Sequence, residues 1–415
     1  MKYALGNMLN GAGGLNADGL TLDLQFATDK TLAARKGPTP TFTRASTSTY
    51  FAPSVINAIF THSGDAFNVN TSQLTLVNGR FSWQSGDTSL YYNGSRWILT
   101  QDSETVATSA LAENAWRPDQ ADWSGTGAII TATSTFGTIL AAINEPRFDH
   151  DPVTPACKGL LIEESRTNLV FPSATLTTQT RTVTAVAHTL SFYGTGTVVL
   201  SGAHVATVTG TGAYPTRTTL TFTPTAGSLI ITVTGSVIYG QLEAGAFPTS
   251  YIPAVAASVV RSADVCSITG SDFTGFYNQS EGTFLTQSIK TSTNINAFII
   301  NASDNSFING TDLRYATVTT PSAVINVASA GQTTGFGGTI ISGASAKQAL
   351  TYKLNDCAYS LNGASAITDT SALIPTVNRI NFGSAYTGQP LNGHIAAIRY
   401  FKKRLSNAKL QTLTT

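Results

Sequence analysis

The chain has 415 residues, of which 24 are Lys or Arg and 23 Asp or Glu, so 11% of its side chains are charged and the formal net charge is +1. An ordinary soluble domain carries about 25%, and so weak a balance leaves no basic field to hold a phosphate backbone, which excludes nucleic acid as a partner. The place of charge is taken by 64 Thr and 36 Gly with abundant Ser and Asn, a mixture that favours strands and turns, because Thr is β-branched and Gly serves tight connections.

Residues 1–20 are rich in Gly and Asn, with Gly11-Ala12-Gly13-Gly14-Leu15-Asn16 at their centre, and show neither helical nor strand periodicity. They read as an extended arm that orders only against a partner. The opening Met1-Lys2-Tyr3-Ala4-Leu5-Gly6 reaches Asn and Gly too soon for a signal-peptide core, and no later run has the roughly 18 apolar residues of a membrane span. Membrane insertion is therefore not expected. Leu20 to Phe26 then alternates strictly, placing Leu20, Leu22, Leu24 and Phe26 on one face of a strand.

The stretch 56–142 differs in texture. It holds all four tryptophans, Trp83, Trp97, Trp116 and Trp123, and two Asn-Gly pairs, Asn78-Gly79 and Asn93-Gly94. Asn-Gly suits a type I′ turn because both residues tolerate positive φ. The pairs separate short apolar runs, so the expected product is a small antiparallel meander inserted into a larger architecture. From 167 to 257, strands such as His188–Tyr193, Thr218–Phe222 and Leu229–Thr234 recur every 8 to 12 residues or so, the rhythm of a β-sandwich. From 258 to 415 a similar rhythm predicts a second sandwich, closing in a short helix from about Asn407 to Leu413. Ser406 caps that helix, and Leu405 before the cap staples to Leu410. Segments 21–55 and 143–166 read as strands linking these parts.

Three groups of strings resemble one family. Phe42-Thr43-Arg44-Ala45-Ser46-Thr47-Ser48-Thr49-Tyr50-Phe51 pairs with Pro146-Arg147-Phe148-Asp149-His150-Asp151-Pro152-Val153-Thr154 and the following Lys158-Gly159-Leu160-Leu161-Ile162-Glu163-Glu164-Ser165-Arg166-Thr167-Asn168-Leu169. Both resemble segments of virion-associated proteins of tailed bacteriophages and prophages, where they lie a few dozen residues apart; here about ninety intervene, which marks the Trp-rich stretch as an insertion. Gly240-Gln241-Leu242-Glu243-Ala244-Gly245-Ala246-Phe247-Pro248-Thr249-Ser250-Tyr251-Ile252-Pro253 is similar to the closing strand of the carbohydrate-binding-module-like jelly roll of those proteins. Leu391 to Phe401 with Arg404-Leu405-Ser406 is similar to the last strand and helix of concanavalin-A-like, laminin-G-like domains.

The resemblance implies an all-β, modular chain: a jelly-roll sandwich, a C-terminal concanavalin-A-like sandwich and the small inserted meander. It implies a phage virion structural protein, non-enzymatic and without a cofactor. The expected form is a homotrimeric fibre that attaches to other virion proteins through its N-terminal arm, adheres to a host-surface glycan, is assembled in the host cytoplasm and resides on the virion. A head fibre or a decoration protein of capsid or tail is the alternative, and a glycan depolymerase the third reading.

The residues offer few sites. Three cysteines, Cys157, Cys266 and Cys357, lie about a hundred residues apart with no CxxC pair, which argues against a disulfide framework and a zinc module. In Arg147-Phe148-Asp149-His150-Asp151 the two aspartates would share a strand face, as a cation site or an acid–base pair requires, but a turn neutralised by Arg147 and Lys158 is the favoured reading, because Pro152 ends the strand and no second ligand set is evident. Adjacent Glu163 and Glu164 face opposite ways on a strand, so they cannot flank one glycosidic bond, and a buried one needs Arg166 or a similar partner. Asp304, Asn305 and Asp312 read either as a Ca²⁺ site or as turn chemistry. No catalytic or metal-binding residues emerge. The aromatic set Tyr91, Trp97, Trp116 and Trp123 is the glycan-binding candidate, against the alternative that these rings form the core of the insertion; Trp116 and Trp123, in a polar stretch, are the more exposed pair.

Overall fold

The computed structural model describes residues 18–52, 140–154, 156–212, 216–333, 335–385 and 388–415 with their side chains, and for 53–139 the backbone of strands alone. The chain divides into two compact units, Met1–Tyr50 with Leu140–Thr415, and Phe51–Ile139. In the second unit the strands Thr75–Val77, Arg80–Ser85, Thr88–Tyr92 and Trp97–Gln101 form one antiparallel sheet. Val77 pairs with Arg80 across Asn78-Gly79, and Tyr92 with Trp97 across the second Asn-Gly pair. A further sheet of three joins Asp65–Asn70, Ser48–His62 and Thr131–Ala141.

The first unit is all-β and modular, two sandwiches in tandem. The larger packs an eight-stranded sheet on a seven-stranded one. In the eight-stranded sheet Gly393–Phe401 is central, pairing with Cys157–Ile162, Glu281–Lys290 and Leu20–Leu24. Residues 20–24 and 148–162, read above as linking strands, thus complete this sheet. Alternation puts Phe284, Leu350, Tyr352, Ile398 and Tyr400 against Ile300, Leu313, Tyr315, Ile325, Ile380 and Phe382 of the facing sheet. A register shift between Leu20 and Leu22 turns Leu20 away from Leu22 and Leu24, which is how a bulge re-aims a side chain. Leu20 instead joins Leu285, Phe401, Leu405, Leu410 and Leu413 on the opposite face, under the helix Asn407–Thr414. That helix is capped as its sequence requires, Lys409 N–H donating to Ser406 Oγ at 3.3 Å.

Two helices were not legible. Gly270–Phe276 contains two glycines, which disfavour a helix; it forms because Phe273 and Phe276 plug the core beside Tyr277, whose ring stacks on Tyr400 at 5.2 Å. Burial of that face outweighs propensity. The other, Phe26–Asp29, is a single turn that buries Phe26.

The smaller sandwich packs a four-stranded sheet (Gln179–Val183, Gly227–Thr234, Thr197–Gly202, Ala206–Thr209) on a three-stranded one (Thr218–Phe222, His188–Tyr193, Ile238–Ala244). Leu190, Phe192, Val198, Leu200, Leu229, Ile231 and Leu242 fill it. What holds it to the larger sandwich is polar. Gln241 and Glu243 point out of the three-stranded sheet and are fully buried under residues 249–252: Glu243 accepts from Thr249 N–H at 2.8 Å and Thr249 Oγ1 at 2.7 Å, and Gln241 Oε1 accepts from Ile252 N–H at 2.7 Å. Ser250 carries the layer onward, donating through Oγ at 2.6 Å and N–H at 2.8 Å to Glu163.

Glu163 belongs to a buried ionic cluster. Arg147 reaches Glu163 at 2.7 Å and Asp264 at 2.5 Å, Arg44 reaches Asp264 at 3.1 Å, and Arg261 reaches Glu163 at 3.2 Å. Burial would raise the Glu163 carboxyl, but the guanidiniums of Arg261 and Arg147 outweigh it and hold it far below the usual carboxylate range. Glu164 turns the other way and pairs with Arg166 at 2.5 Å. Arg44 and Arg147 also tie the two ends of the inserted stretch together: Arg44 Nη2 donates to Ala142 O, Arg147 Nη1 to Thr49 O, and Asn144 exchanges two 3.0 Å bonds with the Arg44 backbone.

Candidate functional site

The sequence candidates for glycan binding do not form a described site. Trp116 and Trp123 lie outside the described residues. Tyr91 and Trp97 lie on neighbouring strands, Thr88–Tyr92 and Trp97–Gln101, where Tyr91 pairs with Ile98 and Trp97 with Tyr92; their side chains are likewise outside the described residues. In the charged string, Asp151 is turn chemistry, accepting from Val153 and Thr154 N–H at 2.9 and 2.8 Å. Asp149 is buried instead, 3.0 Å from Lys158 Nζ and 2.8 Å from His394 Nε2. Burial holds the His394 imidazole below its usual value despite that carboxylate. Among the described residues, no three His, Cys, Asp or Glu side chains gather as a metal ion would need.

The strongest constellation lies on the outer face of the seven-stranded sheet, which runs in the order Thr41–Thr43, Val265–Thr269, Arg379–Phe382, Ala297–Ser303, Gly310–Thr317, Thr320–Val327, Ala330–Gly331. Register lines up Thr41, Ser267, Asn381, Asn301, Asp312 and Val324 straight across six strands. The next row on the same face is Thr269, Arg379, Ser303, Gly310, Asn326 and Gly331. Period two explains this: in each strand the alternate residues (Ile268, Ile300, Ala302, Leu313, Ile325, Ile380, Phe382) enter the core.

Asn301 is the hub of the face. Its Nδ2 donates to Asp312 Oδ1 at 2.6 Å, while its Oδ1 accepts from Ser303 Oγ at 2.9 Å and from Asn381 Nδ2 at 3.4 Å. Burial pushes the Asp312 carboxyl up to about 7, and the bond from Asn301 and the charge of Arg314 offset only part of that rise. Aromatic rings flank the hub: the Arg314 guanidinium lies 5.9 Å from the Phe298 centroid, and Phe307, 44% exposed, lies 6.4 Å from it. Arg379 Nη1 donates to Asn305 Oδ1 at 2.5 Å. At the rim, Asp304 accepts from Ser306 Oγ and, at 2.9 Å, from Asn309 Nδ2; burial would raise it, but these bonds hold it below its usual value.

Asp304 is thus turn chemistry, whereas Asp312 is not. The run Asn309-Gly310-Thr311-Asp312 looks like a turn, yet Gly310 already begins a strand that reaches Thr317. The signal that could have found the site was in the sequence as polar residues at every second position of otherwise apolar strands: Asn301 and Ser303, Asp312 and Arg314, Arg379 and Asn381.

Fold and site together define an all-β protein of tandem sandwiches, one of which presents a polar, aromatic-flanked sheet face. No family model and no curated protein matches the chain. Among solved structures it is similar to the CBM40 of Ruminococcus gnavus IT-sialidase, determined with alpha2,3 sialyllactose, at 15% identity over 36% of this chain and 96% of that one, with a TM-score of 0.29. It is similar also to domain 4 of AbnA, a GH43 extracellular arabinanase from Geobacillus stearothermophilus, determined with arabinotriose, at 10% identity over 41% of this chain and 82% of that one, TM-score 0.32. A Trypanosoma rangeli sialidase is matched at 11% identity over 36% of this chain and 26% of its own, TM-score 0.29.

These findings correct two expectations. The similar structures are carbohydrate-active enzymes and their binding modules, not phage fibre proteins, so the expectation of a virion fibre, or of a head-fibre or decoration protein, is not upheld. The expectation of a non-enzyme is not upheld either, for glycosidases stand among the similar structures. Likenesses this slight assign neither ligand nor activity to the chain.

Proposed function

We propose that the protein recognises a glycan on the outer face of its seven-stranded sheet. The observation that carries this reading is the row Asn381–Asn301–Asp312 with Ser303 beside it, flanked by Phe298, Phe307 and Arg314. A sugar ring presents hydroxyls that both donate and accept, and a CH face that stacks on an aromatic ring. The Asn381 amide and the Arg314 guanidinium, half-buried at the border of the row, answer the first requirement, and exposed Phe307 the second. Asn301 and Asp312, buried and bonded to one another, hold the row in place, so that half-buried Asn381 and Arg314 and exposed Phe307 meet a sugar already ordered, which lowers the entropy lost on binding.

The test is titration of the full chain with a panel of soluble plant and bacterial oligosaccharides, with product analysis of the bound glycan to reveal any cleavage. Phe307→Ala and Asp312→Ala should each weaken binding at least tenfold, which is about 1.4 kcal/mol. A glycan that binds both variants as tightly as the parent removes this face from recognition.

A further inference from the structure

The smaller sandwich holds an aromatic residue in a conformation that its sequence does not favour. Tyr239 has φ +51°, and among the described residues of this sandwich it is the one non-glycine in the left-handed region. There a Cβ crowds the following carbonyl, and for a bulky residue the conformation is a genuine outlier. The fold imposes it through one neighbouring segment. Tyr239 N–H donates to Ala174 O at 3.1 Å, Gly240 N–H donates to Ser173 O at 2.8 Å, and Ile238 bridges Thr175, so the 173–176 segment pins this strand end.

The strained residue is also presented. Tyr239 is 42% exposed, while the two rings that hold it are more buried: Tyr193 meets it at 6.2 Å and 81°, and Tyr251 at 5.3 Å and 68°. Both contacts are edge-on. Tyr251 is itself fixed by a 2.6 Å bond between its hydroxyl and Ser173 Oγ, which accepts from Ala254 N–H at 2.8 Å. A side chain whose only role was packing would be better served by a glycine or asparagine backbone at this position and a ring elsewhere. Strain that surrounding structure over-determines, at a ring held open to solvent, is characteristic of ligand sites.

We propose that Tyr239 is the platform of a second sugar-stacking subsite, on the smaller sandwich, that takes a neutral hexopyranose. An uncharged ring clamped edge-on by two others offers a fixed flat surface for the apolar CH face of a pyranose, with phenolic hydroxyls at its rim for the equatorial hydroxyls. This site lies on a different module from the sheet face above and does not depend on it.

The experiment uses the full chain carrying Phe307→Ala, so that the other face is weakened, and titrates maltohexaose, cellohexaose and mannohexaose by calorimetry and saturation-transfer NMR. At least one should bind, with contacts to tyrosine ring protons. Tyr239→Gly should then weaken that binding at least tenfold while the melting temperature holds or rises, because glycine relieves the left-handed backbone. Tyr239→Trp should retain binding. Three results would each overturn the proposal: none of the three hexasaccharides binds, binding survives Tyr239→Gly, or Tyr239→Gly lowers the melting temperature by many degrees and so marks the ring as structural.

Discussion

Two sheet faces in this molecule carry rows of buried polar side chains, and they have met different ends. On the three-stranded sheet of the smaller sandwich, Gln241 and Glu243 are covered by residues 249–252 and connected through Ser250 to the Arg147–Glu163–Asp264 cluster. That face is closed, and its polarity serves to join modules. On the seven-stranded sheet, Asn301, Asp312 and Ser303 satisfy one another, while half-buried Asn381 and Arg314 and exposed Phe307 border them. A polar row is a joint when a neighbouring segment supplies the missing partners. Where the row supplies them from within itself, its border stays uncovered.

The comparison breaks most visibly at the closed face. Arg147→Met should leave Glu163 and Asp264 without their shared guanidinium in a fully buried place, and unpairing a buried charge costs about 3–5 kcal/mol. Chemical denaturation of the full chain should show that loss. A variant as stable as the parent would mean that Arg44 and Arg261 suffice to neutralise the cluster.

The next effect has the opposite sign and belongs to the open face. The folded chain holds the Asp312 proton up to about 7 because the carboxyl is buried, whereas the unfolded chain releases it near 4. The group's contribution to stability is therefore full below about pH 4 and is lost as pH rises through about 7. Asp312→Asn, neutral at every pH, should match the parent near pH 4 and exceed it at pH 8 by up to ~4 kcal/mol. Melting curves across that window check it, and a constant difference between the two proteins would show that Asp312 does not titrate there.

How much of this was legible in the sequence depends on whether the cause was local. Alternation and turn residues located His188–Tyr193 and Thr218–Phe222 to the residue, and the cap at Ser406 located the last helix, because each signal sits within a few residues of what it specifies. Glu163 does need an arginine, but nearby Arg166 pairs with Glu164 instead, and Arg147 and Arg261 arrive from 16 residues before and 98 after Glu163. Asp312 was misread as part of a turn because Asn309-Gly310 is a strong local turn signal, while the reason for its burial, Asn301 across the hairpin, is register. The left-handed backbone of Tyr239 had no signal at all, for it is imposed by residues 173–175.

A matched pair of serines sharpens the comparison further. Ser250→Ala removes, on the closed face, a 2.6 Å bond to ionised Glu163 and a 2.7 Å bond from Arg147. Ser303→Ala removes, on the open face, a 2.9 Å bond to the neutral amide of Asn301. Bonds to charged groups are worth about 1.5–3 kcal/mol and neutral ones about 0.5–1.5. With two such bonds lost against one, the first substitution should cost roughly four times the second in unfolding free energy, and equal losses would deny that the closed face owes its stability to charge.

The smallest effect on stability is expected where the effect on recognition is large. Phe307 is 44% exposed, its ring centroid 6.4 Å from that of Phe298, so its truncation removes little buried apolar surface. Phe307→Ala should change unfolding free energy by no more than ~0.5 kcal/mol, as surface substitutions usually do. The same change removes the ring on which a sugar's CH face would stack, and truncating a binding hot spot costs ~2 kcal/mol or more. Unfolding and glycan titration on one preparation therefore separate the two roles a ring at this position can have. Stability unchanged with affinity lost assigns Phe307 to recognition; stability lost in step with affinity makes it a support for the Asn301–Asp312 hub, and the open face would then differ from the closed one only in what happens to cover it.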